Sequence, residues 1–390
     1  MITPHPALEG RPVYLDYNGT TPVDPGVLDV MLPFLSREFG NPSSSHAYGQ
    51  AARAAVDVAR AQVSGLVDGH HGRVVFTGSG SEADALAIKG AVLANRRPGQ
   101  RPHMITQATE HPAVLAACSD LVDLHEADVS ILPVDGHGLV DPGAVADAIT
   151  DATVLVTVMH ANNETGTIQP IADIARVAHA RGVLVHCDAA QSVGKVRVDV
   201  DELAVDLLTV VGHKMYAPKG VAALWVRHGV ALRPLVGGGG QEGGLRAGTE
   251  NVAYIAGLGH ASHLAGRALD DGEAERLTGL RDHLQRALEH LLPGRVHLNG
   301  HPSRRLPNTL NVSIDDARAL TVLLEATGIA ASAGSACHAG HDTPSPVLTA
   351  MGIEPGRALS AIRLSLGRWT TLAEVDHAAA VIEAATPRQR

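Results

Sequence analysis

From residue 73 onward, short apolar runs alternate with stretches in which apolar side chains recur at helical spacing. Arg73 to Phe76, His103 to Thr106, Val129 to Pro133, Thr153 to Met159, Val183 to Cys187, Asp206 to Val211 and Val221 to Val226 read as strands. They are short, rich in β-branched residues and bounded by turn formers. Between them, Ala83 to Asn95, a segment from about His111, Gly143 to Ile149 and Ile171 to Ala180 read as helices. This alternation predicts an α/β fold: a mainly parallel, seven-stranded sheet with helices on both faces.

The flanks differ. The stretches 13–22 and 39–46 are polar and turn-rich and read as loops, and Gln50 to Leu66 reads as a helix. Residues 237–244, Gly-Gly-Gly-Gly-Gln-Glu-Gly-Gly, mark a boundary. A helical region follows from about Asn251 to His290, with a break near Asp271-Gly272. Beyond it the pattern restarts as a smaller α+β unit. That unit has strands at Thr309 to Ile314 and Ala361 to Leu366, and helices at Ala317 to Ala326 and from about Leu372. The expected division is a large domain over 12–260 and a small one over 261–390, with 1–11 packing on the latter.

Composition narrows the functional classes. At 390 residues, with 45% apolar and 18% charged, the chain can bury a sizeable core, built from small aliphatic residues because only 3% are aromatic. A formal charge of −10 argues against nucleic acid or an anionic membrane as partner. No apolar run is of membrane-spanning length and the first residues do not resemble a signal peptide, so a cytoplasmic location is expected. The three cysteines, Cys118, Cys187 and Cys337, have no paired spacing, which speaks against a disulfide framework. The 22 histidines form no metal-binding motif, and no metal is expected.

Three successive strands lead into polar groups: Asn162-Asn163-Glu164, Asp188-Ala189-Ala190-Gln191 and His213-Lys214. Parallel strands would set these along one sheet edge, where α/β folds place ligands. Lys214 is either an amine desolvated at the mouth of a buried strand or a surface lysine past its end. Thr77-Gly78-Ser79-Gly80-Ser81 opens a helix and could cradle an anion, although a Ser79/Glu82 capping box accounts for the same residues. A lysine, a phosphate cradle, a buried aspartate and an imidazole together fit pyridoxal phosphate, whose aldehyde needs an amine and whose ring nitrogen needs a carboxylate. Cys337 lies among small and polar residues with His338 and His341 close in sequence, which predicts an accessible thiol. Cys118 and Cys187 sit in apolar segments and are expected to be buried.

With Lys214, Asp188 and Cys337 in view, the chain resembles the cysteine desulfurases and selenocysteine lyases of the class V aminotransferase family, of fold type I. The resemblance runs through YLDYNGTTPVD, FGNPSSSHAYG, TEHPAV, HANNETG, HCDAAQSVGK, VGHKMYAPKG, RAGTENV, LPNTLNVSI, SAGSACHAG and AIRLSLGRWTT. It implies that Lys214 holds pyridoxal phosphate covalently and shuttles the substrate's Cα proton, and that His111 stacks on the ring and assists proton transfer. Asp188 would pair with the ring nitrogen, Gln191 would bond the ring O3′, and Asn163 would lie beside it. Gly80, Ser81 and His213 would hold the phosphate, as would Thr249 from the neighbouring subunit of a homodimer. Arg363 would bind the substrate carboxylate with Asn41 nearby, and Cys337 would attack sulfur or selenium.

Two positions depart from the commoner desulfurase pattern. Val211 replaces a serine before Gly-His-Lys, removing one hydroxyl from the phosphate. Gly78-Ser79-Gly80-Ser81 stands where Ser-Gly-(Gly/Ala)-Thr is usual. The activity implied is conversion of L-cysteine to L-alanine, with the sulfur left as a persulfide on Cys337 and passed to an acceptor protein. The alternative is release of selenium from L-selenocysteine.

Overall fold

The structure is a computed structural model and describes residues 4–97, 99–333 and 343–388. Its centre is a seven-stranded sheet in the order Gly72–Thr77, Ala222–Arg227, Leu207–Val211, Leu184–Asp188, Thr153–Thr157, His103–Gln107, Asp128–Leu132. Ala222–Arg227 runs antiparallel to both of its neighbours, and the other pairings are parallel. Being the sole reversal, it leaves the remaining six strands pointing the same way. Their carboxyl ends therefore emerge along one edge, the geometry that concentrates chain ends on a ligand.

The strands are nearly continuous apolar runs because helices cover both faces. One face packs Val74, Phe76, Val156, Val185, Leu208 and Val210 beneath the helices Ala47–Leu66, Ile171–His179 and Val252–Asp270. The other packs Val75, Met104, Leu155, Leu207 and Leu224 beneath Gly80–Asn95 and Pro112–His125. Cys187 belongs to the first core and Cys118 to the second, both as buried free thiols.

A four-stranded antiparallel sheet forms the second layer system, in the order Ser332–Ala333, Ala361–Ser365, Thr309–Ile314, Val296–Leu298. Here alternation is strict, as expected for a sheet with two unlike faces. Leu310, Val312, Ile314, Ile362 and Leu364 pack with Leu277, Leu284 and Leu288 and with Val375, Ala379 and Ile382 of the helices Glu273–Leu291 and Leu372–Ala385. Thr309, Asn311, Arg363 and Ser365 take the opposite face. Asn311 there donates to Glu164 O, and Ser365 Oγ accepts from the Asn18 amide. The polar face of the small sheet is thereby applied to the strand ends of the large one.

The structure adds elements that the alternation does not predict. Pro25–Ser36 is a helix, capped by Asp24 Oδ1 accepting from the Gly26 amide, and it buries Val27 and Met31. Val13–Tyr14, expected within a loop, is a short strand parallel to Ile329–Ala330. The break near residue 271 is Gly272, at φ +81°, a left-handed conformation that favours glycine. Among the described residues, no helix is long and apolar enough to cross a membrane, and no three His, Cys, Asp or Glu side chains form a metal-binding group.

Candidate active site

The strand Leu207–Val211 is too apolar to remain outside the core and too short to continue beyond it. Its last residue passes into a single 3-10 turn, Gly212–Lys214, which aims Lys214 at a cavity of about 490 Å³. Lys214 Nζ donates to the carbonyls of Asn18 and Gly19 at 2.8 and 2.7 Å. The N-terminal segment thus steers the amine. On the neighbouring strand, Asp188 is the final residue, 6% exposed, and its Oδ1 accepts from the Ala190 amide at 2.9 Å. Burial raises the Asp188 pKa, while the Ala190 amide and the charges of His111 and Lys214 oppose that shift.

His111 caps the helix Pro112–His125, with Nδ1 accepting from the Ala113 amide at 3.2 Å. A neutral imidazole that accepts at Nδ1 carries its proton at Nε2. Burial lowers the His111 pKa and Lys214 lowers it further, although Asp188 works the other way, so the neutral form is favoured. His213 is pushed down to about 4 by burial and by Lys214, Lys219 and Lys195, and its Nδ1 lies 3.1 Å from Thr20 Oγ1.

The strand Gly72–Thr77 delivers the helix Gly80–Asn95 to the same edge. Ser79 Oγ accepts from the Glu82 amide at 3.1 Å, which is one half of a capping box. The other half is missing, because the Glu82 carboxylate accepts from the Gly78 amide at 2.8 Å and pairs with Arg246 at 2.7 Å. The cap therefore consumes the hydroxyl of Ser79. It leaves Gly80 and Ser81 facing the cavity, with the first amides of the helix short of intrahelical acceptors.

Arg363, 1% exposed, reaches the cavity from the polar face of the small sheet. Its Nη2 pairs with Asp16 Oδ1 at 2.7 Å and its Nη1 donates to Asn163 O at 3.2 Å. Its buried Nε has no hydrogen-bond partner among the described residues. A guanidinium held in place by these two partners at the cavity wall is arranged to receive an anion.

Of the positions singled out in the sequence, nine line this one cavity: Gly80, Ser81, His111, Asn163, Asp188, Gln191, His213, Lys214 and Arg363. Asn41 and Thr249 do not. Both are exposed, and Asn41 Oδ1 accepts from the Ser43 amide. Cys337, with His338 and His341, lies outside the described residues.

Sequence reasoning missed four buried polar groups. Asn18, 1% exposed, accepts from or donates to groups on both sheets: Lys195, Gln191, Lys214, Asn163, Thr309, Asn308 and Ser365. Asp84 and Glu110 line the cavity beside Asp188, each with one carboxyl oxygen lacking a hydrogen bond among the described residues. Burial pushes the Glu110 carboxyl up to about 8 and raises Asp84 well above the usual range, with Asp188 adding to both. Lys195 is the fourth. Asn18, Glu110 and Lys195 lie inside stretches that carry the resemblance but were given no role there, and Asp84 sits in a segment that reads as ordinary helix.

The donor set suits pyridoxal phosphate. An amine and a buried carboxyl converge on one cavity, and helix amides are bared where glycine removes the side chain.

Comparison with known proteins agrees with this chemistry. The family model described as aminotransferase class-V matches residues 13–377. The chain is 43% identical over 375 residues to a cysteine desulfurase IscS of Dictyoglomus turgidum, covering 96% of this chain and 94% of that protein. It is likewise 43% identical to a cysteine desulfurase IscS of Methanosarcina thermophila, covering 96% and 92%. Among solved structures, a NifS-like protein superposes with a TM-score of 0.87 at 35% identity, covering 96% of this chain and 98% of the other. SspA in complex with cysteine superposes with a TM-score of 0.78 at 36% identity, covering 91% and 98%.

Proposed function

The chain belongs to the class-V aminotransferase family, among its cysteine desulfurases, and from that premise we propose that it takes sulfur from L-cysteine, leaving L-alanine. The observation that carries this reading is the meeting of Lys214, Asp188, His111 and Arg363 on one cavity.

Pyridoxal phosphate, when bound, supplies a sink for the electron pair left at the substrate's Cα. Lys214 and Asp188 hold the cofactor at its aldehyde and ring nitrogen. Gly80, Ser81 and His213 hold its phosphate, with Thr249 of a second copy completing the set in a homodimer. Gln191 and Asn163 flank the ring. The substrate carboxylate binds the Arg363 guanidinium, which orients the Cα hydrogen toward Lys214. Lys214 Nζ takes and returns the proton at that carbon, and His111 offers its Nε2 proton.

Cys337 completes the reaction. Its thiolate forms a bond to the substrate's Sγ while the Cβ–Sγ bond breaks and Cβ keeps the electron pair. Protonation of that carbon gives alanine, and the sulfur stays as a persulfide that a thiol of an acceptor protein removes. The test is direct. Purified protein given pyridoxal phosphate should be yellow and release alanine from cysteine, and a colourless protein that leaves cysteine intact would defeat the proposal. Running L-selenocysteine in parallel assigns the preferred substrate.

A further inference from the structure

Lys195 is buried beside Gln191, four residues further along the chain. Its Nζ donates to Gln191 Oε1 at 2.7 Å and to Asn18 Oδ1 at 3.1 Å. Both acceptors are neutral amides, and among the described residues no carboxylate forms an ion pair with this amine. The charges that face it are alike in sign: Lys214 from the turn after Leu207–Val211 and Arg363 from Ala361–Ser365. Burial and these cations drive the Lys195 pKa well below that of a free lysine. Two oxygens receive its N–H bonds.

An apolar side chain could occupy this space without the cost of desolvating an amine. What the amine does is fix Gln191. With Oε1 held by Lys195 and Nε2 donating to Asn18 O at 3.1 Å, the amide cannot turn over without setting oxygen against oxygen. One N–H of the amide is left, and Gln191 lines the cavity.

We propose that Lys195 is a positioning residue: by holding the amide oxygen of Gln191, it keeps an N–H turned to the cavity, where it donates to the phenolic oxygen of the bound cofactor. The proposal rests on the pyridoxal phosphate reading above. It has a spectroscopic consequence. A donor at the phenolic oxygen favours the deprotonated chromophore, so it lowers the pH midpoint at which the visible band of the loaded enzyme changes form.

The experiment is a pH titration of that band, with cofactor affinity of the apoprotein measured by equilibrium dialysis. In K195M the midpoint rises by roughly one pH unit, the worth of about one hydrogen bond. K195R, which can still donate to Oε1, stays near the wild type. Q191A shifts the midpoint upward as well, and K195M adds nothing further in the Q191A background. An unchanged midpoint in K195M would overturn the proposal, as would a full K195M shift when Gln191 is already absent. K195L, which likewise has no donor for Oε1, carries the same test should K195M not fold. A wild-type protein that binds no pyridoxal phosphate would instead sink the functional reading and this inference with it.

Discussion

Gly80 and Val211 are fitted to each other: a Cβ added to Gly80 would stand 2.6 Å from Val211 Cγ2. The two residues open different elements onto one cavity, the helix Gly80–Asn95 and the turn that carries Lys214. The bulkier valine at the strand end thus requires the missing side chain at the helix start. The departure at Val211 thus selects glycine at position 80, where the commoner pattern admits glycine or alanine.

Gly80→Ala should therefore cost about 1–3 kcal/mol of stability from overpacking and weaken cofactor binding. Val211→Ser in the same chain removes the opposing methyls and should recover most of both. Urea denaturation and cofactor titration of the two single variants and the double check this. Simple additivity of the single effects would show that the residues are not coupled.

Arg363 is buried with Asp16 and Asn163 as partners, and it lines the cavity. Lysine at this position keeps the charge but loses the fork that holds a carboxylate. Arg363→Lys should raise KM for cysteine by about 30-fold or more, the loss of one or two charge-assisted hydrogen bonds. The visible absorbance of the loaded enzyme should not change. A variant with normal KM would remove Arg363 from substrate binding.

Glu110 links stability to pH. Its carboxyl lies near the ordinary range when unfolded and at about 8 when folded, so the native state holds a proton that the unfolded chain releases. Stability from this group is therefore lost as pH rises from about 4.5 to about 8, and that loss amounts to on the order of 3–5 kcal/mol. Glu110→Gln keeps an oxygen for the Met159 amide and cannot ionise. Its stability relative to wild type should grow between pH 5 and pH 8 in urea denaturation, and a constant difference would contradict the assignment.

Much of this was legible in the chain. The apolar runs at Thr153, Val183 and Asp206 predict three adjacent parallel strands, and the polar groups after them do share one cavity. What escaped was set by distance along the sequence. Asn18 meets Lys195 across 177 positions and Asn308 across 290, and no periodicity encodes such a meeting. Asp84 and Glu110 look like solvated helix and turn residues until the sheet closes over them. The helix Pro25–Ser36 was hidden by Pro33, and its buried side meets Val252–Asp270, with Met31 against Gly257. Asn41 and Thr249 show the converse. A motif marks them, yet one chain's fold leaves them on the outside.

The most direct test of the account is a single-turnover reaction of the loaded protein with cysteine and no reductant, comparing the wild type with Cys337→Ala. The wild type should release one alanine per chain and retain one sulfur atom on Cys337, identified by mass spectrometry. The variant should keep its visible absorbance and release none. Continued alanine release by the variant, or alanine from the wild type with no sulfur on Cys337, would contradict the mechanism at its core.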